Sequence, residues 1–324
     1  MLASLCAVAA PPGIVLDGDS SKPLPRIGFG TCCRKSAKGP ALINSTRAFL
    51  EDGGRLIDTA QIYANHRDLK VALATSSVSR NDVWITSKVN TFRFKSRNAA
   101  LQSVRDSVNE LGVAFIDLML VHGIWDTIST AQAVDVWRGL IDAKHLGMVK
   151  HIGVSNFDLR HIQTCISETG VGPSALQLEY HRRRYEVRTD NLHVPSIRRA
   201  RVCASPWSAW VSNEARELVA WSLAHGVAVT AYGSLGGSQN AGSPNPFGDV
   251  VSAIAKAHGV TSSALLLRWA LNHGVAVIPG ATSYAHIHEN LHLPPVVLSE
   301  DELQRLENPS ARPPYFRGWT VRGT

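Results

Sequence analysis

Eight short runs rich in Val, Ile and aromatic residues recur along the chain, and helical segments ending on glycine lie between them. The runs cover residues 27–31, 56–60, 83–89, 115–122, 151–156, 175–181, 228–233 and 275–280. They are close to continuously apolar, as strands buried on both faces of a parallel sheet are. Between them, residues 96–111 place Ala100, Val104, Val108 and Leu111 on one helical face and stop at Gly112. Residues 134–146, 213–225 and 262–273 are helical in the same way and stop at Gly147, Gly226 and Gly274. A length of 324 residues would also admit two domains. Strand, helix and glycine repeated to eight strands instead predicts an α/β chain folded as one (β/α)8 TIM barrel over residues 1–324.

Three appendages are expected on that barrel. Residues 15–25 (VLDGDSSKPLP) are turn-rich and predict an N-terminal hairpin within an arm of residues 1–25. The tail after Pro309, with Pro313-Pro314, predicts an irregular C-terminal arm over about 309–324. About thirty Arg-rich residues, 182–212, follow the sixth strand where a barrel needs only a few. This long insertion, with Trp207 and Trp210, reads as a lid, a passive surface excursion or a gene-model error such as a retained intron.

Charge and composition narrow the function. Lys and Arg number 33 against 26 Asp and Glu, a formal net charge of +7, but the dense basic clusters are confined to Arg182–Arg184 and Arg198–Arg201 with little aromatic interleaving. No nucleic-acid partner is expected, and the charge suits an anionic cofactor or substrate. No stretch reaches the roughly 18 apolar residues of a membrane span. The apolar segment 2–10 is short, lacks a basic start and runs into Pro11-Pro12, against a signal peptide. Five cysteines, an odd number, read as reduced thiols in a cytoplasmic protein, and a monomer is expected.

In a (β/α)8 barrel, chemistry sits at the C-terminal ends of the strands. Asp58 ends the second strand with Tyr63 just beyond; Lys88 lies near the end of the third, His122 ends the fourth, and Ser155-Asn156 end the fifth. Singly, each has a structural use as a cap, a packing ring or a buried hydrogen-bonding group. Together they bring an acid, a phenol, an amine and an imidazole to one mouth. Reducing a carbonyl requires a hydride and a proton, and a tyrosine of reference pKa about 10 is a poor acid unless a cation stabilises its phenolate. Lys88 can supply that cation, Asp58 can keep Lys88 charged and oriented, and His122 can donate to the carbonyl oxygen.

These residues lie in motifs that resemble the aldo-keto reductase family. Gly54 to Asn65 (GRLIDTAQIYAN) is similar to its signature and Ile85-Thr86-Ser87-Lys88 to its catalytic-lysine strand. Leu120-Val121-His122, Ile152 to Phe157, Leu176 to His181 and Ala231 to Gly236 follow in the family's order, so the resemblance runs from about Gly28 to Leu306. It implies an NAD(P)H-dependent oxidoreductase acting on a small-molecule aldehyde or ketone, with NADPH as cofactor and NADH possible. Asp58, Tyr63, Lys88 and His122 would be catalytic. The cofactor set it implies is Thr31, Asp58, Ser155, Asn156, Gln177, Tyr232, Ser234, Leu235, Ala281, Thr282, His286, Glu289 and Asn290. Among these, Ser155, Asn156 and Gln177 would hold the nicotinamide carboxamide, Tyr232 would stack on the ring, and Ser234 and Leu235 would meet the pyrophosphate.

The chain departs from the family at Gly280-Ala281 and His286, where many members carry a Lys-Ser pair and an Arg that contact the 2′-phosphate of NADP. His122 is followed by Gly123, where Trp is frequent, which opens the substrate pocket. His288-Glu289-Asn290-Leu291-His292 matches H-E-x-x-H, whose zinc chemistry needs both His on one helix face and a third ligand. Pro294-Pro295 should stop that helix, and no metal is expected. Gly28-Phe29-Gly30 lacks the third glycine of a dinucleotide fingerprint. Two other functions stay open: a non-catalytic regulatory subunit on the same fold, as in potassium-channel β-subunits, and a metal hydrolase using the H-E-x-x-H match.

Overall fold

The computed structural model describes residues 13–124, 128–180, 213–235 and 248–307; the insertion at 182–212 and the C-terminal arm at 309–324 lie outside these. All eight expected strands form, seven of them trimmed at their ends, while that expected at 151–156 starts two residues earlier, at Val149. They are β3 (Phe29–Gly30), β4 (Leu56–Asp58), β5 (Trp84–Val89), β6 (Ile116–Val121), β7 (Val149–Ser155), β8 (Ala175–Glu179), β9 (Ala228–Tyr232) and β10 (Ala276–Val277). The sheet runs in chain order from β3 to β10 with each neighbouring pair parallel. It closes on itself: Gly28 N donates to Val277 O at 2.8 Å, and Val277 N donates to Arg26 O at 2.8 Å. Closure removes both sheet edges, as the (β/α)8 expectation requires.

The outer helices are α1 (Gly39–Glu51), α2 (His66–Ala74), α3 (Arg97–Leu111), α4 (Thr130–His145), α5 (Leu159–Thr169), α6 (Asn213–Ala224), α7 (Asp249–Ala257), α8 (Ser262–Asn272), α9 (Tyr284–Leu291) and α10 (Glu300–Glu307). The helix α3 starts where the Ser96 side chain accepts from Ala99 N and stops at Gly112, whose φ of +65° a side chain would strain. The start of α4 lies four residues before the expected Val134, because Ser129 and Gln132 form a reciprocal capping box.

The N-terminal hairpin is present as β1 (Ile14–Leu16) and β2 (Asp19–Leu24), antiparallel, turning at Asp17-Gly18 with both φ angles positive. Leu16 and Leu24 are buried against Leu56, Trp84, Leu118 and Ile278, all barrel-interior residues. The hairpin therefore plugs the floor and leaves the opposite mouth for chemistry. Asp17 latches it in place, accepting from Lys144 Nζ at 2.9 Å and Ser174 Oγ at 2.8 Å and pairing with His151 Nδ1 at 3.0 Å. The His151 bond, with help from Lys144 and Ser174, holds the Asp17 carboxyl well below the usual carboxylate range despite burial.

Cys32 and Cys33 are adjacent just after β3, and their sulfurs lie against each other. Cys165 is a free thiol whose pKa burial pushes up to about 12, so it stays protonated and unreactive. Among the described residues no single helix is long and apolar enough to cross a membrane.

Candidate active site

Asp58 and Lys88 project into the barrel from the neighbouring strands β4 and β5. Their side chains are 3 % and 1 % exposed, and Lys88 Nζ lies 2.6 Å from Asp58 Oδ1. Lys88 also donates to Thr59 O at 2.8 Å, and Gln177 Nε2 donates to the other carboxylate oxygen of Asp58 at 2.6 Å. A buried ammonium and a buried carboxylate are tolerable here because each is paired and further hydrogen-bonded. Burial lowers the pKa of Lys88, with the charge of Asp58 and its hydrogen bond opposing.

Tyr63 ends a short 3-10 turn, Gln61–Tyr63, directly after β4. Ala64 closes the turn in the left-handed region at φ +52°, and Asn65 anchors the chain beyond it. The Asn65 side chain accepts from Thr59 Oγ1 at 2.7 Å and donates to Thr31 O at 3.1 Å and Ala37 O at 3.2 Å. That buried network ties the loop after β3 to the loop after β4, which carries Tyr63. Asn65 stood in the signature motif with no role assigned to it.

Around Tyr63 the expected groups converge. Lys88 Nζ lies 5.2 Å from the centre of the Tyr63 ring, and the His122 ring meets Tyr63 edge-on with centroids 5.8 Å apart. Burial, reinforced by the charge of Asp58, raises the Tyr63 pKa well above its ordinary value, so the phenol keeps its proton at neutral pH. Burial and then the positive charge of Lys88 push His122 down to about 3, which leaves a neutral imidazole.

On the far side of the mouth, Asn156 comes directly after β7 in the left-handed region at φ +54°. Its side chain donates to His122 O at 2.9 Å and to Ser155 Oγ at 3.0 Å, and accepts from Tyr232 OH at 2.8 Å. Thr31 Oγ1 donates to Asp58 O at 2.9 Å, and Ser234 Oγ donates to Ala231 O at 3.3 Å with Leu235 beside it. Thr31, Asp58, Ser155, Asn156, Gln177, Tyr232, Ser234 and Leu235 therefore lie around one mouth. Gln177, expected at a carboxamide, is engaged with Asp58 in this structure.

The remaining expected residues gather where β10 leads into α9. Ala281 is buried, Thr282 Oγ1 and Ser36 Oγ share a hydrogen bond of 2.7 Å, and Ser283 caps the helix through His286 N. His286 is exposed, while Asn290 is buried. Glu289 accepts from Thr261 Oγ1 at 2.5 Å, on the side of α8.

One residue not expected here is Arg34. Its guanidinium fills the space beside Gly280: a Cβ at position 280 would overlap Arg34 Nη1. Arg34 Nη2 donates to Gly30 O at 3.1 Å, while Nε is buried with no hydrogen-bond partner among the described residues. A cation thus stands at the place where the sequence departs from the family's basic residue, together with two hydroxyls and a helix start. That combination fits a phosphate.

Fold and site together define a TIM-barrel enzyme whose mouth carries a phenol backed by a buried ammonium–carboxylate pair. The sequence comparisons name the class: a model of the Aldo/keto reductase family matches residues 26–192 and 200–310, breaking only within the Arg-rich insertion. An aldo-keto reductase of Mycolicibacterium smegmatis is 32% identical over 308 residues, 94% of this chain and 93% of that protein. Methylglyoxal reductase DkgA of Escherichia coli is 30% identical over 282 residues, 86% of this chain and 87% of its own length. The crystal structure of an aldo/keto reductase from Brucella melitensis superposes with a TM-score of 0.69 at 25% identity, covering 88% of this chain and 94% of that one. The chain belongs to the aldo/keto reductase family and is an NAD(P)H-dependent oxidoreductase.

Proposed function

We propose that this chain reduces a small aldehyde or ketone to the alcohol, with NADPH as cofactor and Tyr63 as the general acid. The observation that carries the reading is the pairing of Lys88 with Asp58 at 2.6 Å directly beneath the Tyr63 ring. When bound, the dihydronicotinamide supplies the hydride to the carbonyl carbon. Neutral His122 donates an N–H bond to the carbonyl oxygen and fixes its approach. Tyr63 transfers its hydroxyl proton to that oxygen as negative charge develops on it, and Lys88 stabilises the phenolate left behind. Water then returns a proton to Tyr63. Arg34, with Thr282 and Ser36, would hold the 2′-phosphate of the cofactor in place of a basic side chain at position 280.

The name of the Escherichia coli relative, a methylglyoxal reductase, makes small 2-oxoaldehydes the first substrates to test. Tyr63→Phe should lower kcat by on the order of a hundredfold or more, with NADPH binding, read by Trp fluorescence quenching, preserved. Near-wild-type turnover in a variant with native circular dichroism would remove Tyr63 from the role of acid.

A further inference from the structure

Away from the mouth, three metal-ligating side chains converge where the end of α1 meets α9. Asp52 caps α1 at its C-terminus, and its side chain is 10 % exposed. His288 and His292 stand four residues apart on the side of α9 that faces it, with side chains 53 % and 50 % exposed. The helical turn is still closed at His292, whose N donates to His288 O at 2.9 Å, so the prolines beyond do not separate the two rings. His288 Nδ1 lies 3.1 Å from both oxygens of Asp52, and His292 Nε2 lies 3.2 Å from Oδ2. The three ligand atoms fall within 4.8 Å of one another.

Those separations have a chemical meaning. Four-coordinate Zn²⁺ with bonds of about 2.0–2.1 Å places its donor atoms about 3.3 Å apart along the tetrahedron's edges. Both histidine-to-Asp52 separations are within a few tenths of an ångström of that edge, and all three ligand atoms lie within 4.8 Å of one another. A further group orients the carboxylate: Tyr284, one turn before His288 on α9, donates its hydroxyl to Asp52 Oδ1 at 3.2 Å.

We propose that Asp52, His288 and His292 form a site for a borderline divalent metal ion such as Zn²⁺, clamping the first outer helix to α9 beside the seam where β3 meets β10. Two imidazoles select Zn²⁺, Ni²⁺ or Cu²⁺ over Mg²⁺ and Ca²⁺. The ion is structural: Glu289, the would-be base of an H-E-x-x-H hydrolase, is turned to Thr261, which caps the start of α8.

The test is calorimetric titration of the untagged full-length chain with ZnCl2, with Co²⁺ absorption as a reporter of geometry and melting temperature as a reporter of the clamp. One Zn²⁺ per chain should bind, and at a hundredfold excess over Kd the Tm should rise by roughly 4 °C. MgCl2 should do neither. His288→Ala and Asp52→Asn should each weaken Zn²⁺ binding at least about tenfold, while His288→Cys, which keeps a ligand, should restore it. Reductase activity of the metal-free variants reports their folding independently. Absence of Zn²⁺ binding, an equal response to Mg²⁺, or unchanged affinity in His288→Ala and Asp52→Asn would each overturn the assignment, the last by showing that the ion sits elsewhere.

Discussion

Asp58→Asn isolates the electrostatic device on which the proposed chemistry rests. At 2.6 Å and an effective dielectric constant of about 20, the attraction between Lys88 and Asp58 is about 6 kcal/mol. The Asn variant removes it and leaves one acceptor oxygen for two donors, Lys88 Nζ and Gln177 Nε2. An unpaired ammonium with 1 % of its side chain exposed has a cheaper course, which is to give up its proton. Relative to a reference lysine pKa of about 10.4, that costs roughly 4.6 kcal/mol at pH 7 and roughly 3.3 kcal/mol at pH 8. The variant should therefore be destabilised by roughly 4–5 kcal/mol at pH 7. Its folded state would then bind one proton fewer than its unfolded state, so its stability must rise with pH, by about 1.4 kcal/mol per unit. In wild type the charge of Asp58 and its hydrogen bond oppose the lowering of the Lys88 pKa by burial, so the slope should be smaller. Urea unfolding of both proteins at pH 7 and pH 8 measures the gap. A gap that stays constant between the two would show that Lys88 keeps its charge without Asp58, and the coupling argued for Tyr63 would fall with it.

Two further outcomes concern the two ends of the barrel. Arg34→Gln should weaken NADPH binding by about 10- to 100-fold, the value of a charge-assisted hydrogen bond, and leave NADH binding unchanged. Because a guanidinium does not titrate, the wild-type preference for NADPH should be the same at pH 6 and pH 8; a preference that grows on acidification would assign the contact to His286 instead. At the floor, Leu24→Ala should cost about 2–5 kcal/mol in urea unfolding, since Leu24 is fully buried in the plug. Its kcat should not change, and a fall in kcat would show that floor and mouth are mechanically coupled.

The strands were legible because each is buried on both faces, which writes a near-continuous apolar run into the sequence. The four residues proposed as catalytic were legible because a barrel places strand ends at one mouth, so position along a strand converts into position in space. Helix starts were less so: the Ser129–Gln132 box moves the start of α4 ahead of the apolar periodicity that suggests Val134. Asn65 carried no readable signal, since its bonds reach Thr31 and Ala37, residues 34 and 28 positions away. Asp52 and His288 are separated by 236 positions, and only closure of the barrel makes the first and last βα units neighbours. The same distance hides Arg34 from Gly280.

That last pair also changes how the departure at position 280 is understood. Read along the chain, Gly280 is a loss, a missing cation where the family has one. Read in space, it is half of an exchange, because the volume beside it holds one side chain and Arg34 occupies it from the other side of the seam. A long basic residue at 280 and the present conformation of Arg34 cannot coexist, so the glycine is a condition for the arginine rather than a defect beside it. The exchange also relocates the charge from the loop after β10 to the loop after β3. There, Arg34 Nη2 is bonded to Gly30 O at 3.1 Å and Gly30 N to Pro279 O at 3.2 Å. The cation is thereby fixed to the backbone that closes the barrel, which orders it before any anion arrives and reduces the side-chain entropy that binding would otherwise cost.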